Sequence, residues 1–218
     1  MMNKIKKSNI VYLFALLALS FSYPTSYVEA QSSESSKKQI KYKKARALQT
    51  KTAKKMAKVY EAFEVVDEKG EPAPDTATAI EILTELRNDQ DNLKSYDRSV
   101  MWNAWGYIYF SDGNYDQAMN AYEKVINEEE VTLPIRNAAI FTLAQLNLVQ
   151  ENYKKGIELI LEWMDQVEEV TAQAWSLLGQ AYFQQGSFRK SMSSMRTAIC
   201  LAEEEGYKPI ENWYVIVA

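Results

Sequence analysis

The chain has 218 residues, and its 25 Lys and Arg stand against 29 Asp and Glu, which gives a formal net charge of −4 at pH 7. Hydrophobic residues make up 47% of the sequence, a composition typical of a folded protein rather than a disordered one. His is absent and Cys occurs once, which excludes Cys/His zinc sites, His-based catalytic triads and disulfides within one chain. The composition does not exclude chemistry that depends on carboxylates.

The N-terminus has the three parts of an export signal. Lysines between positions 4 and 7 form a basic segment, Ile10–Phe21 is apolar over 12 residues, and residues 28–30 form a small-x-small cleavage site. The apolar run is short for a transmembrane helix, although an uncleaved membrane anchor is the alternative. The sequence therefore predicts a signal peptide at 1–30, cleavage near Ala30 and a periplasmic location.

A flexible basic arm is predicted at residues 31–50, which are rich in Ser, Gln and Lys. Ten Lys or Arg residues lie between Lys37 and Lys58, with no acid between Glu34 and Glu61. This run favours contact with an anionic membrane surface or an acidic partner, and a solvated lead-in to the first helix is the alternative. No nucleic-acid partner is expected for an exported protein. The arm residues are Lys37, Lys38, Lys41, Lys43, Lys44 and Arg46.

A degenerate helical pair is predicted over about 51–88. Two stretches with apolar residues at helical spacing flank a Gly- and Pro-rich break at 70–74. Asp75 is suited to cap the second helix. The break is longer than the turns that follow in the chain, so this pair is irregular.

The first regular pair lies at 99–132. Trp102, Trp105 and Tyr109 share one helical stripe, because they stand at i, i+3 and i+7. Gly106 lets a second helix approach closely, and Gly113 suits a turn that needs a positive φ. Aligning Tyr115 with Tyr153 and then with Phe188, which are 38 and 35 residues further along in turn, repeats the same pattern. The sequence therefore predicts further pairs at 137–170 and 172–205.

These offsets resemble the tetratricopeptide repeat, a helix–turn–helix unit of roughly 34 residues. The resemblance implies an all-α fold, a right-handed superhelical array over 51–218. Another repeat begins at 209–218 and stops within its first helix, whose apolar residues differ from the polar face expected of a terminal repeat. We interpret the chain as C-terminally truncated, with coverage of this end by another chain as the alternative. Exposed Trp213 and Ile216 predict self-association.

Whole segments carry a narrower resemblance. LPIRNAAIFTLAQLNLVQENYKKGIELILEWM and KPIENWY look like parts of exported tetratricopeptide repeat proteins of marine gammaproteobacteria, encoded beside TonB-type energy-transduction genes. This resemblance implies a periplasmic accessory that binds components of a TonB–ExbB–ExbD-like complex. Family members continue beyond the Glu-Asn-Trp-Tyr segment with more repeats.

A partner-binding groove is predicted along the first helices of the repeats. In such arrays these helices line the concave side, and here the matching positions carry aromatic rings and amides without a charged side chain. This chemistry suits an apolar or extended peptide, whereas contact with a neighbouring helix or repeat is the alternative. The groove residues are Asn103, Tyr107, Phe110, Phe141, Gln145, Leu148, Gln180, Phe183 and Gln184.

No catalytic, metal-binding or cofactor-binding residue is assigned. The acidic clusters at 128–130, 168–169 and 203–205 are interpreted as solvated, and Cys200 as a small buried residue. The function expected is that of a non-catalytic scaffold that binds proteins. A scaffold for cell-wall or outer-membrane assembly machinery is the first alternative, and a carboxylate-based hydrolase is the second.

Overall fold

A computed structural model of the chain describes residues 46–217. The predicted signal peptide and the five lysines of the basic arm lie outside these residues. The described residues form nine α-helices and one short 3-10 helix, with these bounds: α1 Thr50–Phe63, α2 Thr76–Asn88, 3-10 Gln90–Asn92, α3 Ser95–Ser111, α4 Tyr115–Asn127, α5 Leu133–Val149, α6 Tyr153–Gln166, α7 Ala172–Gln184, α8 Phe188–Glu204 and α9 Glu211–Val217.

The helices pack in consecutive pairs. Extensive packing joins α1 with α2, α3 with α4, α5 with α6 and α7 with α8. The contacts of α2 with α3, α4 with α5 and α6 with α7 connect one pair to the next. Asp75 caps α2 as the sequence predicts, since its side chain accepts a hydrogen bond from the Thr78 N–H. The side chains of Asn114 and Thr171 accept from the Gln117 and Ala174 N–H groups at the starts of α4 and α7. The all-α array of paired helices predicted from the sequence is confirmed.

The three regular pairs share one turn geometry. Two positions after the end of each first helix stands a residue of positive φ, Gly113 (74°), Glu151 (62°) or Gly186 (82°). The N–H after it donates to a carbonyl five residues earlier: Asn114 to Tyr109, Asn152 to Asn147 and Ser187 to Tyr182, each at 2.8 Å. This 6→1 bond is the mark of a Schellman cap, which satisfies a free carbonyl at the helix end and reverses the chain.

Small residues allow the two helices of each pair to approach closely. A Cβ at Gly156 in α6 would clash with the side chain of Leu148 in α5, and one at Gly179 in α7 would lie 3.3 Å from the Ser191 carbonyl oxygen in α8. The Ser191 hydroxyl donates a 2.7 Å hydrogen bond to the Gly179 carbonyl, so a side chain of α8 also binds the backbone of α7 at this crossing. The glycines therefore fix the spacing within pairs.

The first pair is held partly by ion pairs. Lys51 Nζ lies 2.9 Å from Asp89 Oδ2, and Lys55 Nζ lies 2.7 Å from Glu85 Oε2. These two lysines belong to the basic run that ends at Lys58. The carboxylates of Glu85 in α2 and of Asp89 just after it therefore neutralise part of the positive charge of that run. Surface pairs of this kind add little stability, and the buried apolar residues of α1 and α2 carry most of the packing.

The connection after α4 is tied back to α3. Arg98 Nε and Nη2 donate to the two carboxylate oxygens of Glu128 at 2.8 and 2.7 Å, a bidentate ion pair. The Glu128 side chain is only 13% exposed. The interpretation of residues 128–130 as a solvated cluster is therefore wrong for Glu128, because its carboxylate is needed to hold the α4–α5 connection against α3.

The end of the array differs from the sequence-based expectation. Trp213 in α9 is 5% exposed and packs against α8 with Met195, Ala198 and Ala202. The prediction that Trp213 is exposed is wrong, because it fills the site on α8 that a first-helix tryptophan takes in a repeat. Ile216 is partly buried by the same cluster, and the exposed apolar side chains of this end include Val215 and Ile210.

Candidate functional site

The predicted groove residues of α3 lie on one face of that helix. Asn103, Tyr107 and Phe110 are each half-buried. The Tyr107 ring meets the Phe63 ring edge to face, with 4.9 Å between centroids, and the Phe110 ring lies 5.9 Å from that of Tyr115. These rings are therefore anchored by α1 and α4 and keep part of their surface accessible.

The groove residues of α5 separate into two groups. Phe141 is half-buried and its ring lies 4.6 Å from the Trp163 ring in α6. Gln145 is 1% exposed and its Oε1 has no hydrogen-bond partner, while Leu148 is 9% exposed and packs on Gly156. Neither Gln145 nor Leu148 offers its side chain to a partner, because both are covered by neighbouring helices. The prediction that Gln145 and Leu148 line an open groove is therefore wrong.

The groove residues of α7 are the most accessible. Phe183 is 44% exposed and contacts the ring of Phe188 at 5.5 Å, Gln184 is exposed, and Gln180 is half-buried. The accessible part of the predicted groove is uncharged in all three helices. It consists of Asn103, Tyr107, Phe110, Phe141, Gln180, Phe183 and Gln184, which we call the first-helix face.

Of the predicted basic arm, only Arg46 lies within the described residues. The assignments for Lys37, Lys38, Lys41, Lys43 and Lys44 fall outside them. Cys200 is a free thiol on the exposed side of α8, so the prediction that it is buried is wrong. Ile199 and Ala202 occupy the inward positions of that turn, which leaves Cys200 pointing outward.

Residues 46–217 contain neither a cluster of metal ligands nor a membrane-spanning helix. No three His, Cys, Asp or Glu side chains come together there as a metal site would require. No helix in that part of the chain is both long enough and apolar enough to cross a membrane.

A second surface was not anticipated from the sequence. Above the Trp102–Trp105–Tyr109 stripe of α3, two adjoining cavities of about 540 and 450 Å³ lie between α2 and α4 and share Gln90, Trp102 and Lys124 in their lining. Two cations, Lys124 and Arg87, sit over the tryptophan rings. We call this surface the tryptophan depression. Lys124 and Trp102 are 22 positions apart and Arg87 and Trp105 are 18 apart, so no local spacing in the sequence indicates these contacts.

The pairing of helices through Schellman turns and small-residue crossings defines the class of protein, an all-α array of helical hairpins. Comparison with known proteins agrees with it. Residues 99–130 and 172–205, which hold α3–α4 and α7–α8, match the Tetratricopeptide repeat family. The two matched segments are thus similar to tetratricopeptide repeats, and α5–α6 between them has the same turn geometry. No curated protein matches the chain.

Proposed function

We propose that this chain is a scaffold that binds a protein partner through the first-helix face. The observation that carries the proposal is the chemistry of that face, where amides and aromatic edges stay accessible on α3, α5 and α7 without any charge. Amides at Asn103, Gln180 and Gln184 suit hydrogen bonds to a partner's backbone, and the rings of Phe183 and Tyr107 suit apolar contact. Tetratricopeptide repeats in general suggest protein partners, which supports this reading.

The rings are positioned before a partner arrives. Phe141 and Tyr107 pack against Trp163 and Phe63, so their rotamers are restricted by contacts within the array. Binding then costs less side-chain entropy than it would for freely rotating rings. This preorganisation favours a binding role for the face.

We further propose that the partner belongs to a TonB-type inner-membrane complex and that the chain works in the periplasm. The support is the segment resemblance for the partner and the signal-like pattern at residues 1–30 for the location. In this proposal the array holds an extended or helical segment of an energy-transduction protein. A scaffold for cell-wall or outer-membrane assembly is the competing partner class.

The test compares crosslinked pull-downs from native cell envelope, with partners identified by mass spectrometry. The variant Asn103→Asp/Gln180→Glu/Gln184→Glu puts three negative charges on the first-helix face and removes none of the packed rings. The matched control, Gln150→Glu/Gln166→Glu/Gln185→Glu, adds three negative charges at exposed amides outside that face. We expect the wild type and the control to recover TonB-type inner-membrane proteins, and the variant to recover at least tenfold less.

Two outcomes would count against parts of the proposal. If the variant recovers the same partners as the wild type, the first-helix face is not the binding surface. If the wild type recovers only cell-wall or outer-membrane assembly proteins, the scaffold proposal stands and the TonB assignment fails. Circular dichroism of each purified variant shows whether its helices remain intact.

A further inference from the structure

The tryptophan depression is distinct from the first-helix face. At about 100° per residue around a helix, Trp102, Trp105 and Tyr109 point roughly 130° away from Asn103, Tyr107 and Phe110. A ligand in the depression therefore touches other side chains than a partner on the first-helix face does.

Two cations of the depression are held over aromatic rings. Lys124 Nζ lies 3.8 Å from the centroid of the Trp102 ring, and Arg87 Cζ lies 4.7 Å from that of Trp105. Arg87 Nη1 also donates a 3.3 Å hydrogen bond to the Tyr109 hydroxyl. Within residues 46–217 neither cation forms an ion pair with a carboxylate. Cation–π contacts leave donor N–H groups of an ammonium or guanidinium free to bind an anion.

The acids around the depression are compensated by other groups. Glu128 is engaged by Arg98, whose pKa is raised first by this hydrogen bond and further by the charges of Glu128 and Asp91. Asp116 lies in the first turn of α4, where the N-terminal backbone N–H groups favour a negative charge. Asp91 also lines the first cavity, near Arg98, whose pKa its charge helps to raise. The charged groups that lie over the tryptophan rings and form no ion pair within the described residues are Arg87 and Lys124.

We propose that the tryptophan depression binds an acidic peptide segment. Carboxylates of the segment accept hydrogen bonds from Lys124 and Arg87, and the amides of Gln90, Gln117 and Asn120 along the lining contact its backbone. A peptide fits better than a small anion because the two cavities adjoin across Trp102 and are open, so that a single anion leaves most of the volume to water. This inference goes beyond the proposed first-helix face and does not depend on it.

The first test uses the wild-type protein. The probe is a blocked eight-residue peptide of alternating Gly and Glu, and its matched control replaces every Glu by Gln. Binding is measured by calorimetry and by the fluorescence of the tryptophans. We expect the Glu peptide to bind at least tenfold more tightly than the Gln peptide and to weaken as NaCl is added. Equal binding of the two peptides would overturn the proposal, as would glutarate binding as tightly as the Glu peptide.

The second test localises the site. We expect Lys124→Gln and Arg87→Gln each to weaken binding of the Glu peptide about tenfold, since each removes a charge-assisted hydrogen bond. The matched control is Lys190→Gln, because the Lys190 ammonium also lies over a ring, 5.3 Å from the Tyr182 centroid, but in another pair. Unchanged affinity in both depression variants would overturn the assignment and move the binding to other basic residues.

The first-helix variant keeps the two proposals separable. Asn103→Asp/Gln180→Glu/Gln184→Glu leaves the tryptophan depression intact, so we expect it to bind the Glu peptide within about twofold of the wild type. A loss as large as that of Lys124→Gln would place the acidic peptide on the first-helix face and overturn the assignment to the depression.

Discussion

Gly106 lies directly against the ring of Tyr122, so closely that a Cβ at position 106 would come within 2.7 Å of Tyr122 Cζ. Tyr122 is 2% exposed, and its ring therefore has no open space into which to turn. This contact joins α3 to α4 in the first regular pair, as Gly156 and Gly179 join the helices of the next two. The spacing within each of the three regular pairs depends on one residue without a side chain.

We expect Gly106→Ala to lower the free energy of unfolding by roughly 1–2 kcal/mol. The methyl group overpacks the α3–α4 contact, at a cost of about 1–3 kcal/mol, and the better helix propensity of Ala returns up to about 1 kcal/mol. Urea denaturation followed by circular dichroism measures the change. The control Glu123→Ala, on the exposed side of α4, should change stability by less than about 0.5 kcal/mol. A variant as stable as the wild type would show that Tyr122 relaxes without strain.

Glu151 stands in the turn position that holds Gly113 and Gly186 in the other two regular pairs. Its φ of 62° is unfavourable for a residue with a Cβ, at a cost of about 1 kcal/mol. We expect Glu151→Gly to raise the free energy of unfolding by a few tenths to about 1 kcal/mol, since added freedom of the unfolded chain offsets part of the gain. Gly113→Ala and Gly186→Ala are the matched changes in the other direction, and both should destabilise the protein. Destabilisation by Glu151→Gly would mean that the contacts of the Glu151 side chain outweigh the backbone strain.

From the two carboxylates that form ion pairs between α1 and α2, Glu85 and Asp89, we expect a loss of stability at acidic pH. The Lys55 hydrogen bond and charge lower the pKa of Glu85 below 4.5, and hydrogen bonds from Asn92 and then Lys51 lower the pKa of Asp89 below 3.8. A carboxyl group whose pKa is lower in the folded state than in the unfolded state stabilises the fold at pH values above its unfolded-state pKa. This contribution disappears as the pH falls through the folded pKa.

We therefore expect the urea concentration at the unfolding midpoint to decrease as the pH is lowered beyond about 4.5. The decrease should be smaller in Glu85→Gln/Asp89→Asn than in the wild type. Glu123→Gln is the control, because the Glu123 side chain is exposed and makes no ion pair within the described residues. Denaturation curves at several pH values between about 7 and 2 measure the difference. Parallel curves for the double variant and the wild type would show that the Lys51 and Lys55 pairs do not act in solution.

The sequence predicts the repeated parts of this fold because each depends on a local pattern. The turn glycines, the small residues at crossings and the stripe of Trp102, Trp105 and Tyr109 all follow from spacing within one helical pair. Glu151 shows the limit of residue identity, since hydrogen bonds of the Schellman turn impose a positive φ on a residue that rarely adopts it. The chain geometry repeats even where the glycine is missing.

The candidate sites were less predictable because they depend on contacts between helices. Gln145 occupies a groove position by its spacing, yet neighbouring helices reduce its exposure to 1%. Lys124 and Arg87 contact the tryptophan rings of α3 only because α4 and α2 pack beside that helix. To predict which side chains stay accessible and which form cation–π contacts, one must know how the helices are placed relative to one another. The spacing of residues along the sequence does not contain this information.

Trp213 is the most buried side chain of the last described helix. Seven residues are too few for a stable isolated helix, so the order of α9 rests on its contacts with α8. Trp213 fills the apolar cluster of α8, Ile216 and Val217 pack against that cluster, and the Tyr214 hydroxyl donates a hydrogen bond to Glu203. We expect Trp213→Ala to remove about 3 kcal/mol or more of packing and to release α9. Hydrogen exchange should then show loss of protection in α9, with protection in α3 and α4 unchanged. The control Val215→Ala, at a side chain 68% exposed, should keep α9 protected. Equal protection of α9 in Trp213→Ala and the wild type would mean that Ile216 and Val217 hold this helix without the indole, and that the tryptophan fills the end of the array without anchoring it.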